Sequence, residues 1–297
     1  MLSKIKISIV SNVTRLGQIN HNLEKMEQTI IEALNRGERA DLYLFPELNI
    51  TGGFFSGGMQ ANTENYRRLG EQVPTGPSCQ NVARMARQYQ THICAGLVER
   101  EGDRYFITHI LFGPQGLLIH QRKLFPQDPM RPLVFSAGQR LNTVDLLGHR
   151  CAILACADWM EVETTILAGL EEVALILAPT GGGFEDHQLP VIWKLICSKA
   201  LSTEAFIAAA FGHYESSGPR ITAGMVLDPN GEVLISGTRF VNEDAVFTID
   251  ITPHPPGKRW GGFKARASLL AQNLCSYLPA CSEVKVGSGT MTTNLNV

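Results

Sequence analysis

Arg150-Cys151-Ala152-Ile153-Leu154-Ala155-Cys156 runs directly into Ala157-Asp158-Trp159-Met160-Glu161-Val162-Glu163, and the rest of the chain is organised around this junction. A short apolar run that stops at a small residue and then turns polar predicts a buried strand, a turn and a helix. Open α/β sheets present their functional groups at the carboxyl ends of strands. A helix N-terminus after Cys156 would also favour the thiolate form of its side chain. The junction therefore predicts an α/β fold in which Cys156 is a candidate nucleophile.

Two further apolar runs end in an ionisable side chain. Glu47 closes Asp41-Leu42-Tyr43-Leu44-Phe45-Pro46-Glu47, and Lys123 closes Gly116-Leu117-Leu118-Ile119-His120-Gln121-Arg122-Lys123. A thiol, a carboxylate and an ammonium are the groups needed for acyl transfer through a thioester. Each also has a structural interpretation by itself, as a packed thiol, a solvated loop carboxylate or a charge that protects a sheet edge. The catalytic hypothesis requires all three to meet at one site.

The local contexts of these residues form a recognisable set. They are Phe-Pro-Glu at 45–47, Arg-Lys-Leu-Phe-Pro at 122–126 and Cys-x-Asp-x-x-x-x-Glu at 156–163. In this order they resemble the nitrilase superfamily of carbon–nitrogen hydrolases, in its amidase-like branch. The likeness extends over about residues 4 to 278, and further segments that carry it lie at 74–77, 93–100, 135–138 and 228–234. The resemblance implies a cysteine-dependent hydrolase that acts on a small non-peptide amide or N-carbamoyl compound.

The chemistry of the three side chains, and the resemblance, give each of them a role. Glu47 would be the general base toward the thiol and later the general acid toward the departing amine. Cys156 would attack and form the thioester. Lys123 would stabilise the tetrahedral oxyanion together with the backbone N–H of Ala157.

Other residues near these motifs have expected roles in shaping the site. Asp158 and Glu163 are expected to cap and orient the helix after Cys156. Trp159 either walls the substrate pocket, which we favour, or fills the core. With Trp159, Phe54 and Arg131 are the candidate substrate-binding residues. The pocket is expected to be lined by the loops 51–62, 124–138 and 180–188.

The sequence departs from the family pattern at several places, which include the following two. Many members carry a second glutamate four residues before the Phe of Phe-x-x-Gly, where this chain has Arg131. The helix motif Arg-Ala-x-Glu-Asn reads Lys199-Ala200-Leu201-Ser202-Thr203. Arg131 could bind a substrate carboxylate through its guanidinium fork, or it could be an exposed loop charge. Alternatively, the thioester is passed to an acceptor other than water, or Arg131 pairs with Glu47 and leaves a catalytically silent binding protein.

The order of the predicted elements favours two packed sheets. The chain opens with a β-α-β pattern, repeats it after Cys156, and adds antiparallel hairpins to both halves, which fits two mixed sheets with helices outside. The resemblance implies the same four-layer α-β-β-α sandwich, assembled as a homodimer or larger homo-oligomer. We expect a single domain over residues 1–281 and a flexible polar tail over 282–297.

The composition argues against several classes of protein. The 297 residues carry a formal charge of −2, which gives no electrostatic footprint for nucleic acid or an anionic membrane. The N-terminal sequence does not resemble a signal peptide and no run is apolar enough to span a bilayer, so we expect a cytoplasmic protein. The seven cysteines lack C-x-x-C spacing. The glycine-rich stretch 51–58 does not match a phosphate-binding loop or the dinucleotide fingerprint, and it precedes no clear helix with a Gly-Lys-Ser ending. We therefore expect no metal and no cofactor, and a small-molecule substrate as the partner.

Overall fold

A computed structural model describes most of the chain. The described residues are 3–53, 59–126, 135–181, 188–214, 221–236, 240–241, 244–257, 285–286 and 289–290. Residues 1–256 form one compact unit, which contains the strands and helices given next. In chain order they are β1 (Ile5–Ser11), β2 (Val13–Thr14), α1 (Ile19–Asn35), β3 (Leu42–Leu44), α2 (Met59–Leu69), α3 (Pro77–Tyr89), β4 (His92–Glu101), β5 (Arg104–Gly113), β6 (Gly116–Arg122), β7 (Thr143–Leu146), β8 (His149–Ile153), α4 (Ala157–Met160), α5 (Val162–Leu170), β9 (Leu175–Thr180), α6 (Leu189–Thr203), β10 (Phe206–Phe211), β11 (His213–Tyr214), β12 (Ile221–Leu227), β13 (Val233–Ser236), β14 (Phe240–Val241) and β15 (Ala245–Ile251).

The strands form two mixed sheets. The first has the order β15-β1-β3-β4-β5-β6, in which β1, β3 and β4 run parallel and the remaining neighbours pair antiparallel. The second has the order β13-β12-β10-β9-β8-β7, with β8, β9 and β10 parallel, and β14 also pairs with β12. The prediction of two mixed sheets is therefore confirmed.

Apolar side chains hold the layers together on both faces of each sheet. The sheets face each other across a buried core to which Ile7 and Ile153 belong. On the outer face of the first sheet, α1 and α3 pack through residues that include Met26 and Val82. On the outer face of the second, α5 and α6 pack through residues that include Ile196. Strands buried on both faces read as nearly continuous apolar runs. The four-layer α-β-β-α arrangement expected from the sequence is confirmed.

The element bounds differ from the sequence predictions near the expected site. Because β3 ends at Leu44 and β8 at Ile153, Glu47 and Cys156 follow their strands after short extended segments rather than ending them. A separate short helix, α4, comes before the predicted one, which starts at Val162. The helix α2 follows the glycine-rich stretch, and its sequence contains no Gly-Lys-Ser.

Within the described ranges, each helix is too short or too polar to cross a membrane. The second compact unit covers residues 257–297 and contains an antiparallel pair of two-residue strands, β16 (Lys285–Val286) and β17 (Gly289–Thr290). The expected domain end at residue 281 lies outside the described residues, so it stays a prediction.

Candidate active site

Glu47, Lys123 and Cys156 come together between the two sheets. The Lys123 ammonium donates a hydrogen bond to Glu47 Oε1 at 2.6 Å. The side chains of both residues are almost completely buried, at 2% and 1% exposure. The Cys156 thiol hydrogen-bonds with the Glu47 carboxylate, and Cys156 is the most exposed residue of the three. The carboxylate therefore contacts both the cation and the candidate nucleophile.

The backbone around Glu47 is fixed to the neighbouring strand β4 on both sides. Phe45 N–H donates to the Cys94 carbonyl at 3.0 Å, and Ile50 N–H donates to the Gly96 carbonyl at 3.0 Å. Between these anchors Leu48 takes a left-handed conformation with φ of 50°, which turns the chain back over the strand. The Gly181 N–H donates to Glu47 Oε2 at 3.2 Å. The carboxylate is thus held by its own turn and by a loop of the second sheet.

Lys123 is the first residue after β6, and its backbone is held from two sides. Its N–H donates to the Ile107 carbonyl at 2.8 Å, and its carbonyl accepts the Gly138 N–H at 2.8 Å. A Cβ atom on Gly138 would lie 2.4 Å from the Arg122 carbonyl oxygen, so only glycine allows this approach. The Phe-Ser-Ala-Gly segment at 135–138 therefore fixes the base of the lysine.

Cys156 lies at the turn between the second sheet and α4. Its backbone has φ of 48° and ψ of −112°, an uncommon conformation for a residue with a side chain. Its N–H donates to the Pro179 carbonyl at 2.9 Å. Ala157 is the first residue of α4, where a backbone N–H has no partner within the helix. The sharp turn thereby joins the candidate nucleophile directly to the first residue of α4.

The charges at the site belong to Glu47 and Lys123, whereas Cys156 is a neutral thiol. Burial opposes both charges, but mutual attraction outweighs it, so the pKa of Glu47 lies below and that of Lys123 above its ordinary value. Burial, followed by the Glu47 charge, raises the pKa of Cys156 to about 12 against the opposing effects of Lys123 and Gly181. The expected stabilisation of a thiolate is therefore wrong for the resting site. An ionised base stands beside a protonated nucleophile.

Asp158 has a different role from the predicted helix cap. Its carboxylate accepts the N–H groups of Leu124 at 3.0 Å and Phe125 at 2.7 Å, and the residue is completely buried. Burial raises the pKa of Asp158 to about 6, although these two hydrogen bonds favour its charged form. The residue joins the segment after Lys123 to the turn after Cys156, so it aligns groups that come from different sheets. Glu163 lies in the first turn of α5, as expected of an acidic residue that complements the helix dipole.

The candidate substrate-binding residues are placed as follows. Trp159 is completely buried, and its indole N–H donates to Thr180 Oγ1 at 2.8 Å. Its ring packs edge-to-face against Phe211, with 6.5 Å between ring centroids. These contacts favour the interpretation of Trp159 as a core residue. Phe54 and Arg131 lie outside the described residues.

The helix segment 199–203, which differs from the family's Arg-Ala-x-Glu-Asn motif, begins with a buried lysine. Lys199 donates to the Glu161 carbonyl at 2.5 Å and to the hydroxyls of Thr164 and Thr165, so it fastens α6 to the junction of α4 and α5. Burial lowers the pKa of Lys199 to about 8. The hydroxyls of Ser202 and Thr203 each donate to a carbonyl one turn earlier in the same helix.

One residue at the site was not identified from the sequence. His109, on β5, is completely buried beside Gly96 and interacts electrostatically with both Glu47 and Lys123. Burial lowers the pKa of His109 to about 4; the Lys123 charge acts in the same direction, whereas the Glu47 charge opposes it. A single histidine in an apolar strand does not reveal such a position. In the part of the chain that the structure describes, no three His, Cys, Asp or Glu side chains form a candidate metal site.

Comparison with known proteins gives a consistent group of relatives. The model of the carbon-nitrogen hydrolase family matches residues 6–253. A nitrilase of Pyrococcus abyssi is 24% identical over 251 residues, covering 83% of this chain and 90% of the relative. An (R)-stereoselective amidase of Pseudomonas sp. is 28% identical over 239 residues, covering 79% and 81%. In fold, the chain is similar to an amidase of Nesterenkonia sp. AN1 whose active-site cysteine carries the acetamide moiety of fluoroacetamide, with a TM-score of 0.74, 20% identity and coverage of 91% and 96%.

Proposed function

Because the chain belongs to the carbon-nitrogen hydrolase family, we propose that it hydrolyses a small non-peptide amide or N-carbamoyl compound through a thioester on Cys156. The observation that carries this proposal is the buried Glu47–Lys123 pair, 2.6 Å between Nζ and Oε1, with the Cys156 thiol bonded to the same carboxylate. A base, an oxyanion donor and a nucleophile are the three parts that the chemistry needs.

The first step forms the carbon–sulfur bond. The high pKa of Cys156, about 12, means that attack and loss of the thiol proton to Glu47 are coupled. The sulfur adds to the substrate carbonyl carbon, and the electrons of the C=O double bond move to oxygen. Lys123 and the Ala157 N–H stabilise the resulting oxyanion. Lys123 is protonated when the thiol attacks, because the Glu47 carboxylate raises its pKa.

The second and third steps release the amine and the acid. Protonated Glu47 gives its proton to the departing nitrogen, the carbon–nitrogen bond breaks, and the acyl group remains on sulfur. Glu47, again a carboxylate, removes a proton from water as the water oxygen attacks the thioester carbon. The carbon–sulfur bond then breaks, and the sulfur recovers a proton from Glu47. One water is consumed for each amine and carboxylic acid released.

The test is ammonia release from a panel of small primary amides, N-carbamoyl compounds and nitriles, together with intact-mass detection of an acyl adduct. Cys156→Ala should abolish both signals with every substrate that the unsubstituted protein turns over. Cys197→Ala is the matched control, because Cys197 is a partly buried thiol on α6, and it should leave both signals unchanged. Ammonia release that survives Cys156→Ala would contradict the proposal. With a primary amide as substrate, ammonia release without free carboxylic acid would indicate transfer to another acceptor.

A further inference from the structure

His109 lies on the inner face of the first sheet, beneath the Glu47–Lys123 pair. In the sheet register it stands between Gly96 of β4 and Gln121 of β6. Lys123 is two residues further along from Gln121 and pairs its N–H with the Ile107 carbonyl. The imidazole therefore lies one inward-facing position below the lysine.

The ring reaches across Gly96 toward the turn that carries Glu47. A Cβ atom placed on Gly96 would be 2.7 Å from His109 Nε2 and 2.5 Å from the Leu48 backbone nitrogen. The ring and the turn thus fill the space that a side chain on Gly96 would need. His109 packs against the segment that immediately follows the carboxylate.

The ring is buried without hydrogen bonds. His109 is 0% exposed, and within the described part of the chain neither of its ring nitrogens has a hydrogen-bond partner. A buried polar group in this state is uncommon and destabilises the fold. A protonated ring would bring two N–H donors and a charge, so the surroundings favour the neutral ring.

We propose that His109 is a positioning residue that acts through Glu47. Its uncharged ring supports the Glu47–Leu48 turn from the sheet and keeps a second positive charge away from the carboxylate that Lys123 already pairs. This inference rests on the proposed function, because it concerns the proton that Glu47 takes from Cys156.

Acid acts on this site through His109 as well as through Glu47. The charged groups that act on His109 are Glu47 and Lys123, and Cys156 is the titratable group bonded to Glu47. A proton on His109 would stabilise the Glu47 carboxylate and so weaken its affinity for the thiol proton. Protonation of either His109 or Glu47 in acid therefore prevents Glu47 from taking the proton of Cys156. Since the two sites interact, they titrate as a coupled pair.

The experiment measures the rate at which iodoacetamide alkylates Cys156 from pH 3.5 to 8, by peptide mass spectrometry, with circular dichroism at each pH. In the unsubstituted protein the rate should fall on the acid side with the midpoint of the first protonation of the coupled pair. His109→Gln leaves Glu47 as the single member of the pair, so it should move that midpoint to lower pH, and it should lower the rate at pH 7 because the Glu47–Leu48 turn loses its support. The matched control is His149→Gln, which replaces a buried histidine of β8 and should keep the midpoint of the unsubstituted protein.

Each outcome decides between the proposals. An unchanged midpoint in His109→Gln, or the same shift in His149→Gln, would overturn the role of His109 while the proposed function stands. If His109→Gln loses its fold, His109→Asn takes its place, and loss of fold in both would assign the residue a structural role only. Cys156 reacting no faster than Cys197 in the unsubstituted protein would overturn the proposed function, and this inference with it.

Discussion

Arg122 and Lys123 are consecutive residues, yet each pairs with a different buried glutamate on an opposite side of the first sheet. Arg122 bonds to Glu99 at 2.5 Å, and Glu99 also accepts hydrogen bonds from Thr108 at 2.5 Å and from His120 at 2.7 Å. We call these four residues the Glu99 cluster. Lys123 bonds to Glu47 at 2.6 Å, and these two residues with Cys156 form the Glu47 centre.

The two sites differ in how readily the carboxylate can accept a proton. Although burial opposes its charge, His120, Arg122 and Thr108 together lower the pKa of Glu99 to about 2. A carboxylate with that many donors is a weak base. The described partners of Glu47 are the Lys123 ammonium, the Gly181 N–H and a thiol that can give up a proton. A buried ion pair is therefore no sign of catalysis by itself, whereas a buried pair that also contacts a nucleophile is.

The strongest test of this comparison removes the charge from each glutamate in turn. Glu47→Gln should lower the alkylation rate of Cys156 at pH 7 by about 10²–10⁴, because the thiol loses its general base. Glu99→Gln should leave that rate nearly unchanged, since Glu99 does not contact the thiol. Peptide mass spectrometry of both variants measures the rates, with thermal unfolding as the check on folding. Similar losses of reactivity in both variants would show that the Glu47 centre and the Glu99 cluster do not differ in their effect on Cys156.

Removing the cations should separate the sites by stability. Lys123→Met should reduce the free energy of unfolding by about 3–5 kcal/mol, because it leaves Glu47 charged, buried and without its cation. Arg122→Met should have a smaller effect, since the Arg122 side chain is 22% exposed and Glu99 keeps Thr108 and His120. Urea denaturation at pH 7 measures both. A greater loss for Arg122→Met would show that the less buried pair contributes more.

The pH dependence of stability tests the aspartate that aligns the Glu47 centre. The pKa of Asp158 rises from an ordinary value of 3.8 to about 6 in the fold, so its contribution is complete below 3.8 and lost as pH rises through 6. Relative to Asp158→Asn, the unsubstituted protein should lose up to about 3 kcal/mol between pH 4 and pH 7. Urea denaturation at both pH values gives the difference. Parallel stability profiles would contradict the raised pKa.

The smallest effect is expected at Trp159, next to the Glu47 centre but facing the core. Trp159→Phe removes the indole hydrogen bond to Thr180 and should reduce the free energy of unfolding by about 1 kcal/mol. The alkylation rate of Cys156 should stay close to that of the unsubstituted protein. Thermal unfolding and the alkylation assay together measure this, and a large loss of reactivity with unchanged stability would instead place Trp159 in the pocket wall.

Sequence reasoning located the three groups of the Glu47 centre because each follows an apolar run that marks a strand. The contacts among them depend on which strands become neighbours, and this is a tertiary property. The acceptor role of Asp158 illustrates the limit, because its partners Leu124 and Phe125 are more than thirty residues away. The thiol state of Cys156 was also missed, since the helix dipole is visible in sequence whereas the degree of burial is not. His109 was missed for the same reason, because its burial beside Glu47 and Lys123 is not visible in the sequence.

The backbone of Cys156 places the site under a trade-off between folding and reactivity. Its φ is positive, at 48°. Glycine adopts such a conformation without strain, whereas in a residue with a Cβ atom the backbone strain is about 1–3 kcal/mol. Selection for stability alone would favour glycine at this position and remove the sulfur. Persistence of a cysteine there during laboratory evolution would therefore report selection for chemistry, and drift toward glycine would follow once that selection is relaxed.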